Sequence, residues 1–453
     1  MHMHRISLAA LGAVVNTAVA APPTDTHEAD TTDVAALREM VRDLQGQVDQ
    51  LKAAGDNQWL TQQRSDEIRG LVHDVLADAD TRASLLQSGA TAGWDKGFFI
   101  GSADGNYLLK IGGQIQVRFV YNWQDDDASS DSNRYGFEVR RAKLILTGHV
   151  FDPTWSYDVQ FAADRSTGSV TLEDAGWIQK DFGNGLKFRI GQQKAPFLRE
   201  EMISSRNLFA VERSLLNAFF TSGTVQGAQL AYETDRWRVY GMYHDGNRSA
   251  NTAWSVEDTE YAFTARAEWL AMGEKFSDNT QYNGFRGQAS GLVLGAAINY
   301  SDQEYGTGSN LPPPDFNNNE TKNLGLTADA TWLANGWSLA GAVIYRNLDP
   351  QTGGDLEQFG FLVRGGYFFN EDWEIYAQYE WADADIAGIE DLSVVTVGVN
   401  RYWNKHNLKW QTDVGFGLNE VAGVFASDSS GWRADPAGED GQIVIRTQVQ
   451  LLF

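Results

Sequence analysis

The residues able to do chemistry are charged side chains, arranged in two ways. One group alternates along the chain: Lys110, Arg118, Arg141, Lys143, Lys187, Arg189, Arg238, Arg266, Arg346, Arg364, Lys409 and Arg446, with Asp158, Glu268, Asp329, Glu374, Glu380 and Asp413 as acidic counterparts. The other is packed into residues 195–223, where Arg199, Glu200, Glu201, Arg206, Glu212 and Arg213 follow Lys194 and sit among Pro196, Phe197, Leu208, Phe209, Leu215, Leu216, Phe219 and Phe220. Catalysis is poorly served by this inventory. Of seven histidines, His2, His4, His27 and His73 precede residue 94. His149 and His406 fall near short turns. His244, beside Asp245, reads as a solvated rim residue. No G-x-S-x-G or H-E-x-x-H occurs, so an enzyme is not expected. What remains is electrostatics: charges that attract, repel or hold ions.

The elements that must position these charges are strands. From Trp94 to the end the apolar period is two. Ile111, Gly113, Ile115, Val117, Phe119 and Tyr121 alternate with Gln114, Gln116 and Arg118. Tyr261, Phe263, Ala265, Ala267 and Trp269 alternate with Thr264, Arg266 and Glu268. The chain closes on Ile443, Ile445, Val449, Leu451 and Phe453. Sixteen strands are predicted, starting near 107, 135, 154, 170, 185, 224, 236, 259, 290, 322, 336, 358, 372, 392, 406 and 441. Most reach the length a tilted membrane strand needs. The faces near 135–147 and 172–180 stay ambiguous, and a slip of one residue would turn their charges outward. Short connections alternate with long ones, as in outer-membrane barrels, but 271–289 is long where a short turn is expected. Aromatics such as Trp155, Trp237, Trp269, Trp332 and Trp373 stand at strand ends, where interfacial girdles belong. A soluble sandwich would not need so many long strands.

The segment before residue 94 is different. Residues 1–20 read as a signal peptide with Ala18-Val19-Ala20 at the cleavage site. Residues 21–32 read as a flexible linker. Residues 33–55 form a heptad seam of Val34, Leu37, Val41, Leu44, Val48 and Leu51, a short coiled coil or an amphipathic helix packed on a surface. Residues 56–93 read as a helical linker, and 94–453 as the barrel. The 453-residue chain has no cysteine and a net charge of −24, which disfavours nucleic acid as a partner. No cofactor is called for. The acidic stretches around Asp125–Asp127, Asp302 to Glu320 and Asp428 to Asp440 read as solvated loops, with divalent-cation binding as the sharper alternative.

Residues 189–214 carry a specific resemblance. Gly191-Gln192 with Lys194, Pro196-Phe197, Ser204-Ser205-Arg206 and Glu212-Arg213-Ser214 resemble the hallmark of the phosphate-selective porin O/P family. Arg140-Arg141-Ala142 and Leu172-Glu173-Asp174-Ala175 are similar to it too. The resemblance implies an all-β, 16-stranded antiparallel transmembrane barrel, a homotrimer in outer-membrane lipid, with its third loop folded into the lumen and the helical leader in the periplasm. It implies passage of small hydrophilic solutes, including anions such as phosphate. Lys194, Arg199, Glu200, Glu201, Arg206, Glu212 and Arg213 would then line a constriction, or else pair with one another to fix the loop. Lys110, Arg118, Arg141, Lys143, Arg189, Arg266 and Arg364 would line the pore. A non-conducting structural or adhesion barrel is the alternative from another class.

Overall fold

The computed structural model describes residues 29–53, 70, 89–95, 97–125, 132–255, 259–276, 280–305 and 319–453. The signal-peptide reading, most of the 21–32 and 56–93 linkers, and Asp126, Asp127, Asp131 and Asp315 lie outside these residues. One long helix, α1, covers Ala29–Ala53, so it begins inside the expected flexible linker. Leu44 of the seam is exposed.

Strands follow. β1 is Ala90–Trp94 and β2 is Phe98–Ser102. Next come β3 (Leu108–Trp123), β4 (Asn133–His149), β5 (Trp155–Ala163), β6 (Val170–Gly183), β7 (Leu186–Lys194), β8 (Thr224–Glu233), β9 (Trp237–His244) and β10 (Thr259–Met272). The last are β11 (Gly291–Tyr305), β12 (Asn319–Ala334), β13 (Trp337–Pro350), β14 (Leu356–Phe368), β15 (Trp373–Asp383), β16 (Leu392–Asn404), β17 (Leu408–Gly417) and β18 (Ile443–Leu452). Each of β3 to β18 pairs antiparallel with its sequence neighbour, and β18 pairs with β3. Sixteen strands thus close a ring with no free edge, the only β arrangement that satisfies every backbone group in lipid.

Closure is finished by the C-terminus. Gly113 N–H donates to Phe453 O at 2.8 Å, and Phe453 N–H to Gly113 O at 3.2 Å. The Phe453 ring lies over Gly113, where a β-carbon would stand 2.2 Å from it. Beyond that point β2 continues the edge of β3, pairing Phe98–Gly101 with Leu108–Ile111. The β1–β2 hairpin corrects the expected 94 boundary and the reading of 90–93 as helical linker. Its five exposed residues in β1 show no one-sided pattern that sequence could expose.

Outside, the barrel presents apolar side chains to its surroundings: Val117, Phe137, Ile190, Phe263, Ile298, Val363 and Val449 are all exposed. Trp155, Trp237, Trp269, Trp332, Trp337 and Trp403 mark the end with short turns, and Tyr135, Tyr243 and Tyr261 the end with long loops. Trp237 and Trp269 stack at 5.8 Å, Tyr261 and Tyr300 at 5.9 Å. These are the two girdles expected at membrane interfaces.

Inside, three connections fill much of the lumen. The 195–223 loop crosses to the far wall. Arg266 of β10 donates to Phe197 O at 3.1 Å, Arg346 of β13 to Phe219 O at 2.9 Å, Asn400 of β16 to Phe209 O at 2.9 Å, and Lys409 of β17 to Leu208 O at 2.9 Å. Glu380 of β15 accepts from Leu216 N–H at 3.0 Å. Its apolar residues pack on glycine notches in the wall: a β-carbon on Gly360 would stand 2.5 Å from Leu216 and 2.7 Å from Phe220. From the long-loop end, 418–442 folds over it and places Phe425 4.7 Å from Phe219 in one core with Trp432.

The third is the connection 273–290, whose length the alternation of turns did not explain. It folds inward from the short-turn end. Asn283 donates to Glu374 Oε2 and to Tyr402 Oη, both at 2.8 Å. Phe285 packs between Phe368, Tyr402 and His406, and Tyr282 joins Phe209 and Tyr376. The extra length supplies a second plug beneath the 195–223 loop.

A bulky side chain at Gly360 tests the docking of that loop. Gly360→Leu overpacks a closed notch, which costs about 1–3 kcal/mol. The expected result is a loop that loosens: protease cuts between residues 195 and 223 at concentrations that leave the unsubstituted barrel whole. Equal resistance would show that the notch does not hold the loop.

Candidate functional site: a charged constriction along β4 to β9

Two cavities remain beside the plugs along β4 to β9, and two features of β4 and β6 crowd charge there. The β3–β4 register slips between Gln116↔Arg141 and Val117↔Val139. Arg140 is the extra residue, and the bulge aims it inward beside Arg141. Opposite β5, residues 173–175 form a second bulge between Val159↔Gly176 and Phe161↔Leu172, with Asp174 at φ 60°. Asp is among the few non-glycine residues that tolerate this left-handed backbone.

Around these bulges stand two clusters. In the first, Glu212 takes Arg140 at 2.7 Å, Arg141 at 2.7 Å and Arg118 at 3.7 Å. Arg118 also binds Glu138, which takes Arg165 at 3.1 Å. In the second, Asp174 takes Lys143 at 2.5 Å and Lys194 at 3.6 Å, while Lys143 also reaches Glu173 and Lys194 reaches Glu201. Arg213 pairs with Glu201 at 3.4 Å and donates to Ile203 O at 2.9 Å.

Glu212 lies on the loop, off the spanning strands. Burial would raise its carboxyl, but the Arg140 and Arg141 guanidiniums outweigh burial and hold it well below its ordinary 4.5. A depressed carboxyl contributes its full stabilisation above its unfolded value and loses it only as pH falls through the folded one. The conductance difference between the parent and Glu212→Gln is therefore expected to stay constant from neutral pH down to pH 4.5 and to shrink only at lower pH. A difference that already shrinks above pH 4.5 would count against Glu212 as the clasp.

Two cavities flank the bulges. The one toward the long-loop end, about 290 Å³, is lined by Arg140, Arg141, Asp164, Arg165, Glu173, Asp174, Gln192 and Asn251. The one toward the short-turn end, about 350 Å³, is lined by Asp158, Asp174, Trp177, Lys187, Arg189, Lys194, Arg206 and Glu233, with loop residues Met202 and Ser204. Asp174 lines both, so they abut at the β6 bulge.

The expected constriction residues therefore divide. Lys194 and Arg206 line the cavity toward the short-turn end, and Glu201, Glu212 and Arg213 stand beside the cavities in the ion-pair clusters. Arg199 and Glu200 lie elsewhere: Arg199 pairs with Glu268 at 3.1 Å, and Glu200 with Arg364 at 2.7 Å and Ser214 Oγ at 2.6 Å. They pin the loop to β10 and β14, because a charge folded against a wall needs a partner there. Of the expected lining residues, Arg141 and Arg189 line the cavities, while Arg118 and Lys143 are buried beside them in the ion-pair clusters. Arg266 is engaged with Glu268 and Asp329, and Arg364 with Glu200. Lys110 stands at the short-turn rim with Asp95 at 3.3 Å. His244 is buried, bonded to Gly246 O and Thr264 Oγ1 at 3.0 Å each, and is not the solvated rim residue expected. Residues missed as site members are Arg140, Glu173, Asp174 and Arg165. The family-like strings Arg140-Arg141-Ala142 and Leu172-Glu173-Asp174-Ala175 were the signal for the first three; Arg165 had none. Among the described residues no group of His, Asp or Glu is placed to hold a metal.

A closed barrel, apolar outside and charged inside, narrowed by an inward loop, defines a membrane channel of the porin type. Residues 109–415 match the family model of the phosphate-selective porins O and P, and the chain belongs to that family. It is an outer-membrane channel. No curated protein matches the sequence. Among solved structures, the chain is similar to the anion-selective porin of Comamonas acidovorans, at 13% identity and TM-score 0.54, covering 76% of this chain and 99% of that one. It is similar to the trimer form of in-vitro folded OmpT of Vibrio cholerae, at 13% and 0.51, covering 76% and 99%. It is also similar to the channel DcaP of Acinetobacter baumannii, at 11% and 0.50, covering 80% and 100%. These likenesses show the fold.

Proposed function

We propose that this porin passes small hydrophilic solutes by diffusion along β4 to β9, with a preference for anions set where the two cavities meet. The observation that carries this reading is the local charge. The two cavity linings hold seven Arg and Lys against five Asp and Glu, in a chain whose net charge is −24. Rings of charged groups at a constriction set ion preference. The acid is elsewhere, in loops at the mouth and on surfaces the solute does not traverse. By the rule that short turns face the periplasm, the cavity at Arg140 and Arg165 opens outward and the cavity at Arg189 opens to the periplasm.

The chain is further proposed to assemble as a homotrimer, with residues 1–20 removed on export and α1 as a periplasmic coiled coil. The seam of α1 and the trimeric relative support this. Phosphate is one candidate solute. The family likeness supports it, but the path lacks a ladder of unopposed cations, since nearly every Lys and Arg at the bulges has a carboxylate partner.

The test is the reversal potential of the refolded protein in a KCl gradient. Anion selectivity is expected. Cation selectivity would overturn the preference, and absence of any conductance would favour the structural-barrel alternative.

A further inference from the structure

Most charges beside the path are already neutralised by a neighbour. In the periplasmic cavity Lys187 pairs with Glu233 at 2.5 Å, and Lys194 with Asp174 and Glu201. Three are not. Arg189 and Arg206 have no carboxylate within 4.0 Å among the described residues, and Asp158 has no cation within that distance. Each is nonetheless held. Arg189 donates from Nε and Nη2 to Gln179 Oε1 at 3.1 and 2.7 Å, and its guanidinium lies over the Trp177 ring at 4.0 Å. Arg206 donates from Nε to Ser204 Oγ at 3.2 Å. Both oxygens of Asp158 accept from Gln160 Nε2 at 3.1 Å. Two restrained guanidiniums and one restrained carboxylate thus open on a single cavity of about 350 Å³.

We propose that this cavity is a solute-binding station for small amino acids with an acidic side chain. Two carboxylates of such a solute meet the two guanidiniums, and its ammonium meets Asp158. The reasoning is one of residual charge. A fork that already has a carboxylate gains little from another, whereas a fixed guanidinium without one gives a charge-assisted, bidentate pair. Arg189 is stacked and hydrogen-bonded on one edge, so little order is lost when an anion arrives on the other. Asp158 stands where a simple dianion would be repelled, which favours a solute that brings its own cation. A weak station at this point suits a channel, because a solute must also leave. The inference rests on the diffusion-porin reading above and deepens it.

The experiment is block of KCl current through the refolded full-length protein by L-glutamate, with succinate, inorganic phosphate and L-lysine as comparison probes, each added to either side. Glutamate is expected to block at lower concentration than succinate or phosphate, more readily from the periplasmic side, with lysine inert. In Arg189→Gln/Arg206→Gln the glutamate block, read as the fraction of that variant's own KCl current, weakens at least tenfold. In Asp158→Asn the advantage of glutamate over succinate disappears. Equal block by all three anions, or block unchanged by the double substitution, overturns the station while leaving the porin reading intact. Absence of KCl conductance in the parent protein overturns both.

Discussion

Replacing Asp174 by asparagine is expected to turn a modest anion preference into a strong one, with the fold intact. Asp174 is the side chain both cavities share, and it binds Lys143 and Lys194. Asparagine is the informative choice because Asn, like Asp, tolerates the left-handed backbone at φ 60°. Alanine would add strain there and confuse the result. Without the carboxylate, two ammoniums stand where the two cavities meet, with only Glu173 and Glu201 to offset them. One uncompensated charge about 8 Å from a passing ion, in a medium of effective dielectric near 20, is worth about 2 kcal/mol before salt screening. Allowing for screening, the chloride-to-potassium permeability ratio is expected to rise roughly tenfold. The reversal potential in a KCl gradient measures it. An unchanged ratio would mean that ions do not pass Asp174, and would move the path elsewhere in the lumen.

The sixteen barrel strands begin within three residues of where alternation placed them. That accuracy has a physical source: lipid demands an apolar face and water a polar one, so period two is written plainly along each strand. Legibility fails where that demand is broken. The faces of 135–147 and 172–180 were ambiguous because both hold bulges. An inserted residue shifts the alternation, and Arg140 and Asp174 then read as out of phase. Those are the two positions at which the ion-pair clusters gather. The division of loop charges was hidden for another reason. Arg199 finds Glu268, and Glu200 finds Arg364, far along the chain; no spacing rule connects such pairs. The plug at 273–290 did carry a signal, since Tyr282 and Phe285 are too apolar for a free turn of that length. The same argument that sent 195–223 inward applied to it.

Substituting Glu212 by glutamine is expected to undock the tip of the 195–223 loop. Glu212 is buried and gathers Arg118, Arg140 and Arg141. Two of the three come from the β4 bulge, so the strand irregularity and the loop carboxylate form one clasp. Removing one member of a buried ion pair costs about 3–5 kcal/mol, mostly because the remaining charge is left uncompensated. Here several guanidiniums would be left with Glu138 as the nearest acid. They can lower that cost by moving apart into the outer cavity, which pushes the loop from the wall. The expected readings are a higher and noisier single-channel conductance and a lower unfolding temperature of the refolded barrel. A second substitution separates charge from shape. Arg140→Gln in the Glu212→Gln background removes one stranded cation, so the double variant should be less destabilised than the two single effects added together. Strict additivity, or a conductance identical to that of the parent, would show that the apolar contacts of Phe197, Leu216 and Phe220 hold the loop without the clasp. The arginines on β4 would then act on the passing solute alone.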